Sequence, residues 1–214
     1  MRTNITIGRQ FGSGGREIGR KVAEHYGIPC YDKELINEVA KNSGFTKEII
    51  KEQDEQATSS FLYNLVMDTY TFGYNAMPFT DMPISQKIFL AQFDTIKKLA
   101  KEEGPCVFIG RCADCALSEF PHVLNIFIHA DMDYRIARAA EYSDFSEDIR
   151  KDPQRLKEMV AKMDRQRQSY YNYYSMQKWD SIDSYDLCID SSFFGIDGAV
   201  KAIISAVDLM EEKG

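Results

Sequence analysis

Gly8-Arg9-Gln10-Phe11-Gly12-Ser13-Gly14-Gly15-Arg16-Glu17 lies between two segments of different period. Before it, Thr3 to Gly8 alternate polar and apolar residues, which predicts a strand. After it, Ile18, Val22 and Tyr26 recur every four residues up to Gly27, which predicts a helix with a glycine stop. Four glycines in eight residues let the backbone take positive φ and turn several N–H groups inward. A helix N-terminus follows at once, so backbone donors and helix dipole face the same anion. That is the physical recipe for holding a di- or triphosphate. The usual phosphate-loop pattern is glycine, four residues, glycine, lysine, serine or threonine. With Gly14 as the second glycine, Gly15 stands at the lysine and Arg16 and Glu17 follow where a Mg²⁺-holding hydroxyl belongs. Arg16 is the cation expected to take over contact with the terminal phosphates. Glu17 at the third-glycine position argues against a dinucleotide loop.

Outward from this loop the elements continue to alternate. Ile28 to Tyr31 reads as a short second strand. Residues 33–102 read as several helices, the last with an apolar face of Ile84, Ile88, Ile96 and Leu99. Cys106 to Ile109 is an apolar strand ending at Gly110-Arg111, Val123 to His129 is another, and a helix through Arg135 and Arg138 follows. A long helix is expected from about Pro153 to Met176. Leu187 to Ile189 is the last strand, and Ile196, Val200, Ile203, Ile204, Val207 and Met210 mark a closing helix. Strands alternating with helices predict an α/β fold with a parallel sheet covered on both faces.

The 214 residues suit one domain, and 28% charged with 44% hydrophobic residues excludes disordered, collagenous and fibrous classes. A chain of this size buries about 70% of its unfolded surface without a disulfide or metal staple. No run approaches a bilayer span, and the N-terminus turns polar too soon for a signal peptide, so no membrane role is expected. Five cysteines, an odd and sparse set, fit reduced thiols in a cytoplasmic protein. Residues 1–30 carry a net +3 and residues 150–180 a net +4, so within a total of −7 the remainder carries −14. So acidic a body suits no nucleic acid polymer. Two basic segments on it are either solvated helix faces or, if the fold joins them, a site for a small polyanion.

The chain resembles the cytidylate-kinase-like branch of the P-loop nucleoside monophosphate kinases along nearly its whole length. The residues that carry this are Phe11-Gly-Ser-Gly-Gly-Arg-Glu-Ile-Gly19, Ile28-Pro-Cys-Tyr-Asp-Lys-Glu-Leu-Ile36 and Val107-Phe-Ile-Gly-Arg111. Asn125 to Arg138, Asp164-Arg-Gln-Arg167 and Tyr185 to Ser192 continue the likeness in the same order. The resemblance implies a three-layer P-loop NTPase fold with a central parallel five-stranded sheet, a helical insertion and a lid. The single domain, 1–214, then divides into core at 1–30 and 101–141, an acceptor-binding insertion at 31–100, a lid region at 142–165 and a C-terminal core at 166–214. It further implies transfer of a phosphate from ATP, with Mg²⁺, to a small acceptor such as a nucleoside monophosphate. Gly12, Ser13, Gly14, Gly15, Arg16, Glu17 and Arg135 would hold the donor. Asp32, Arg111, Asp164 and Arg167 would meet the acceptor, and Arg16, Arg111, Arg138 and Arg167 would neutralise the transferring group. None of these is a protein metal ligand.

Departures from the family pattern weaken the substrate assignment. The loop lysine is absent, Cys112 replaces the aspartate of the Gly-Arg-Asp turn, and Lys33-Glu-Leu-Ile36 stands where a glycine and a tyrosine-arginine pair belong. A nucleotide-binding sensor without turnover is therefore the alternative reading. Cys112-Ala-Asp-Cys115 lacks a second pair for zinc and reads as two buried thiols in a helix. Tyr170, Tyr173 and Tyr174 share a helical face and read as core. Phe61, Leu62, Tyr63, Leu65 and Val66 form either the insertion's own core or an apolar surface for a homo-oligomer.

Overall fold

The computed structural model describes residues 1–53, 82–142 and 145–212. The apolar cluster of residues 61–66, with the rest of 54–81 in the predicted insertion, lies outside these. Five parallel strands form one sheet: β1 (Asn4–Arg9), β2 (Cys30–Tyr31), β3 (Val107–Ile109), β4 (Val123–His129) and β5 (Leu187–Asp190), in the spatial order β2-β3-β1-β4-β5. Ile5 and Ile7 register with Val107 and Ile109 on one side and with Leu124 and Ile126 on the other, so the first strand made is the central one. Asn4 and Cys106 begin the sheet by a different contact: Asn4 Oδ1 accepts from the Cys106 N–H at 3.0 Å, which leaves Cys106 just outside β3.

Alternation along each strand sends side chains to two faces. Ile5, Ile7, Val107, Ile109, Ile126 and Ile128 are buried against α1 (Gly15–Tyr26) and the last helix, α9 (Ser191–Glu212). From α9 the apolar stripe predicted by spacing contributes Val200, Ile203 and Val207 as fully or nearly buried residues, with Ile196, Ile204 and Met210 at the margin. The other face of the sheet presents Phe108 and Phe127. Phe108 packs with Ile88, Ile96 and Leu99 of α4 (Ile84–Glu102) and with α2 (Leu35–Ser43) and α3 (Lys47–Gln53). Ile84, one turn earlier, is 46% exposed, so the apolar face of α4 begins at Ile88.

Phe127 packs with Tyr170, Tyr171, Tyr174 and Trp179. The three tyrosines come from α8 (Pro153–Ser175), whose N-cap Asp152 accepts from the Gln154 and Arg155 N–H groups, with Pro153 in the first turn. Tyr170 and Tyr174 are thus core, Tyr171 is buried beside them, and Tyr173, expected to share their face, is half-buried at its margin. Helix α6 (Met132–Ala140), the short α7 (Glu147–Arg150) and the first half of α8 enclose a separate small core of Ala139, Phe145, Leu156 and Val160. No described helix is long and apolar enough to cross a membrane.

Candidate phosphate-transfer site

In a parallel sheet, ligand sites form beyond the carboxyl ends of the strands, where the order of connections reverses. Here β1 sits between β3 and β4, and the turns after β1, β2 and β3 all open at that edge. After β1, the Gln10 N–H bonds the Ile128 carbonyl and the Ser13 N–H and hydroxyl both donate to the Gln10 carbonyl, which folds the loop on itself. Gly12 and Gly14 have φ of 81° and 80°, and Gly14 is the N-cap of α1. Behind the loop, the Ser191 hydroxyl donates to the Ser13 carbonyl at 2.6 Å, which locks it to the start of α9.

A cavity of ≈ 820 Å³ opens in front of this loop, large enough for a nucleotide. Arg9, Gly12, Gly14, Gly15, Arg16 and Glu17 form one wall, and Asp32, Arg111, Arg138 and Arg167 form others. With Arg20, Lys21, Lys33 and Lys51, the lining carries nine cationic side chains against the four carboxylates of Glu17, Glu24, Asp32 and Glu141. The two basic segments do meet, and a chain of net charge −7 concentrates positive potential in one recess.

The arginines are held by carboxylates in different ways. Asp32, just past β2 with a side chain 1% exposed, pairs with Arg16 Nε, and its other oxygen lies 3.6 Å from Arg111 Nη1. Arg111 also donates to the Ile109 carbonyl at 3.1 Å. It sits in a run of three left-handed residues, Gly110 (φ 77°), Arg111 (φ 55°) and Cys112 (φ 53°), a strained turn of the sort found where a side chain must be aimed. Arg138 donates to Glu17 Oε2 at 2.8 Å, across from α6 to α1, instead of pairing along its own helix with Glu141. Arg167 lies over the Phe11 ring, 5.4 Å from its centroid, and donates to the Arg9 carbonyl.

Three residues expected at the ligand lie behind the loop. Ser13 is buried, with its hydroxyl on Gln10. Arg135 and Asp164 form a buried ion pair, Asp164 also accepts the Phe11 N–H at 2.6 Å, and Arg135 Nε donates to the Ala130 carbonyl. This pair fastens the loop to α8, and it connects Asp164 to α6 instead of to its i+3 neighbour Arg167. Conversely, Arg9, Lys33 and Lys51 line the cavity without having been singled out from sequence. The signal available for Arg9 was a charge closing an alternating strand directly before a glycine loop.

The Cys-x-x-Cys pair is split between environments: Cys112 is buried at the N-cap of α5 (Ala113–Ala116), while Cys115 is half-buried. Burial raises the Cys115 thiol, and it pushes those of Cys30 and Cys106 up to about 12. Protonated thiols are poor metal ligands and nucleophiles. Packing around Asp114 also strips water from its carboxyl and raises its pKa, although the Tyr171 hydroxyl donates to it at 2.5 Å. The native state therefore binds this proton more tightly than the unfolded chain. Its stabilising effect is complete below the ordinary carboxylate value near pH 4 and is lost as pH rises through the raised one. Asp114→Asn, which still accepts from Tyr171, is expected to flatten that fall. Thermal midpoints of both proteins from about pH 4 to about pH 8 check this, and parallel curves would refute it.

A sequence profile described as the cytidylate kinase-like family matches residues 4–193. The chain belongs to this family. Among curated relatives, a cytidylate kinase from Methanopyrus kandleri is 26% identical over 220 residues, covering 98% of this chain and 95% of its own. Among solved structures, an uncharacterized protein from Eubacterium ventriosum is 32% identical with a TM-score of 0.69, covering 96% of this chain and 98% of its own. Shikimate kinase from Bacteroides thetaiotaomicron, with a TM-score of 0.56 at 12% identity and coverage of 96% and 98%, shares the fold alone. The family assignment and these neighbours agree with the sheet: it is the P-loop kinase fold, with helices on both faces.

Proposed function

We propose that this protein transfers the terminal phosphate of ATP to a small acceptor, a nucleoside monophosphate. The observation that carries the reading is the ≈ 820 Å³ cavity, bounded by the glycine loop and lined by nine cations against four carboxylates. Membership of the cytidylate kinase-like family supports it. Phosphoryl transfer asks little covalent chemistry of a protein: it needs two phosphates aligned and their charge neutralised. The loop N–H groups and the N-terminus of α1 would take the donor, and Arg138, steered by Glu17, would approach it from α6. Arg16 and Arg111, fixed by Asp32, and Arg167, fixed by Phe11 and the Arg9 carbonyl, would grip the acceptor phosphate and the transferring group.

Mg²⁺ bound to ATP supplies charge neutralisation between the phosphates. The Cys30 and Cys106 thiols, pushed up to about 12, stay protonated near neutral pH, which suits the reducing interior of a cell.

The test is ADP formation from Mg·ATP with each nucleoside monophosphate in turn. The expected result is acceptor-dependent ADP with at least one of them. Arg16→Ala, which removes a cation from the loop and a partner from Asp32, is expected to cut turnover about 10³-fold or more, the scale of a transition-state arginine. Absence of ADP with every acceptor, in protein that still binds ATP, would refute the reading in favour of a nucleotide sensor.

A further inference from the structure

We infer that in this chain the phosphate-loop cation and the first loop glycine have exchanged places, so that Arg9 holds the donor's terminal phosphates. Counting back from Gly14 in the pattern of glycine, four residues, glycine and lysine, the first glycine falls on Arg9 and the lysine on Gly15. The two substitutions are complementary in space. A Cβ built on Gly15 would lie 2.6 Å from Arg9 Cβ and 3.2 Å from Arg9 Cγ. The room through which a lysine stem would leave α1 is therefore filled by the stem of Arg9, and an arginine at position 9 requires a glycine at position 15.

Arg9 is built as a fixed donor. Its backbone registers with Ile128 in the central ladder, and its carbonyl accepts from Arg167 Nη1 at 3.3 Å. The residue is 7% exposed yet contributes to the wall of the cavity beside Gly12 and Gly15. Arg16, by contrast, has a side chain 43% exposed and its Nε drawn towards Asp32, beyond β2. The division of labour that follows gives Arg9 the donor and leaves Arg16 with Asp32 and Arg111. A planar guanidinium also offers two parallel donors where an ammonium offers a point charge, which suits bridging two phosphate groups.

The inference rests on the proposed reaction for its meaning but is tested by binding. Calorimetry with ATP and with inorganic tripolyphosphate compares wild type, Arg9→Met, Arg9→Lys, Arg9→Gly and the double variant Arg9→Gly/Gly15→Lys. Arg9→Met keeps the stem that packs on Gly15 and removes the charge. It is expected to bind both probes about 10- to 100-fold more weakly, while Arg9→Lys stays within about tenfold of wild type. Arg9→Gly/Gly15→Lys restores the ordinary arrangement and should bind both probes more tightly than Arg9→Gly. Wild-type affinity in Arg9→Met overturns the inference, as does a folded double variant no better than Arg9→Gly; should the double not fold, Arg9→Met decides. Wild type that binds ATP but forms no ADP fails the proposed reaction while leaving this comparison intact. Wild type that binds neither probe overturns both.

Discussion

Asp32→Ala is expected to cost about 3–5 kcal/mol of folding stability and to abolish phosphoryl transfer. The Asp32 side chain is 1% exposed and lies between Arg16 and Arg111, whose own side chain is 3% exposed. Removing the carboxylate leaves the Arg111 guanidinium enclosed without its counter-charge, and a buried charge stripped of its partner is among the costliest single changes a protein can suffer. Arg16, at 43% side-chain exposure, contributes little to that penalty because water replaces its lost partner. The double variant Asp32→Ala/Arg111→Met should accordingly recover much of the loss, since both charges leave together. Urea midpoints at constant slope measure each step. A loss below about 1 kcal/mol in the single variant would show that Asp32 does not hold this corner of the site.

Gly12→Ala is expected to lower ATP affinity about 100-fold, the scale of a loop displaced by an ångström. Gly12 has φ 81°, where an L side chain costs about 1–2 kcal/mol. Its Cβ would also lie 2.6 Å from the Arg135 carbonyl, in the backbone of α6. A helix backbone does not yield, so the loop must move, and with it the N–H groups that face the phosphates. Gly27→Ala is the matched control: φ is 64°, but nothing lies within 4 Å of the added carbon. That variant should lose comparable backbone stability and bind ATP as wild type does. Equal ATP affinity in the two variants, measured by calorimetry, would disprove the steric account.

What could be read from residue order was whatever depends on local spacing. The strand, glycine loop and helix around residues 3–27 stand where the alternation and the four-residue recurrence put them, and β4 has the bounds read for it. The C-terminal edge of the sheet places Arg16, Asp32, Arg111, Arg138 and Arg167 around one cavity. What could not be read were contacts between residues far apart in the chain. Nothing local says that Asp164 reaches Arg135 and the Phe11 N–H, because that choice is made by the packing of α8 on α6. Nor does spacing show that Gly15 is small to admit Arg9. A gap in a motif reads as a loss until the neighbour that fills it is located.

The central position of β1 sets a timetable for synthesis. Ile5 pairs with Val107 and Leu124, so the strand that leads into the phosphate loop leaves the ribosome first and finds its neighbours more than 100 residues later. At about 5–20 residues per second, that is an interval of roughly 5–20 s. Throughout it, Ile5 and Ile7 and both edges of the strand are without the sheet that later buries them. The nascent chain thus exposes its central strand longest, and shielding of that strand during translation, more than the stability of the finished domain, is expected to govern how much active protein a cell obtains.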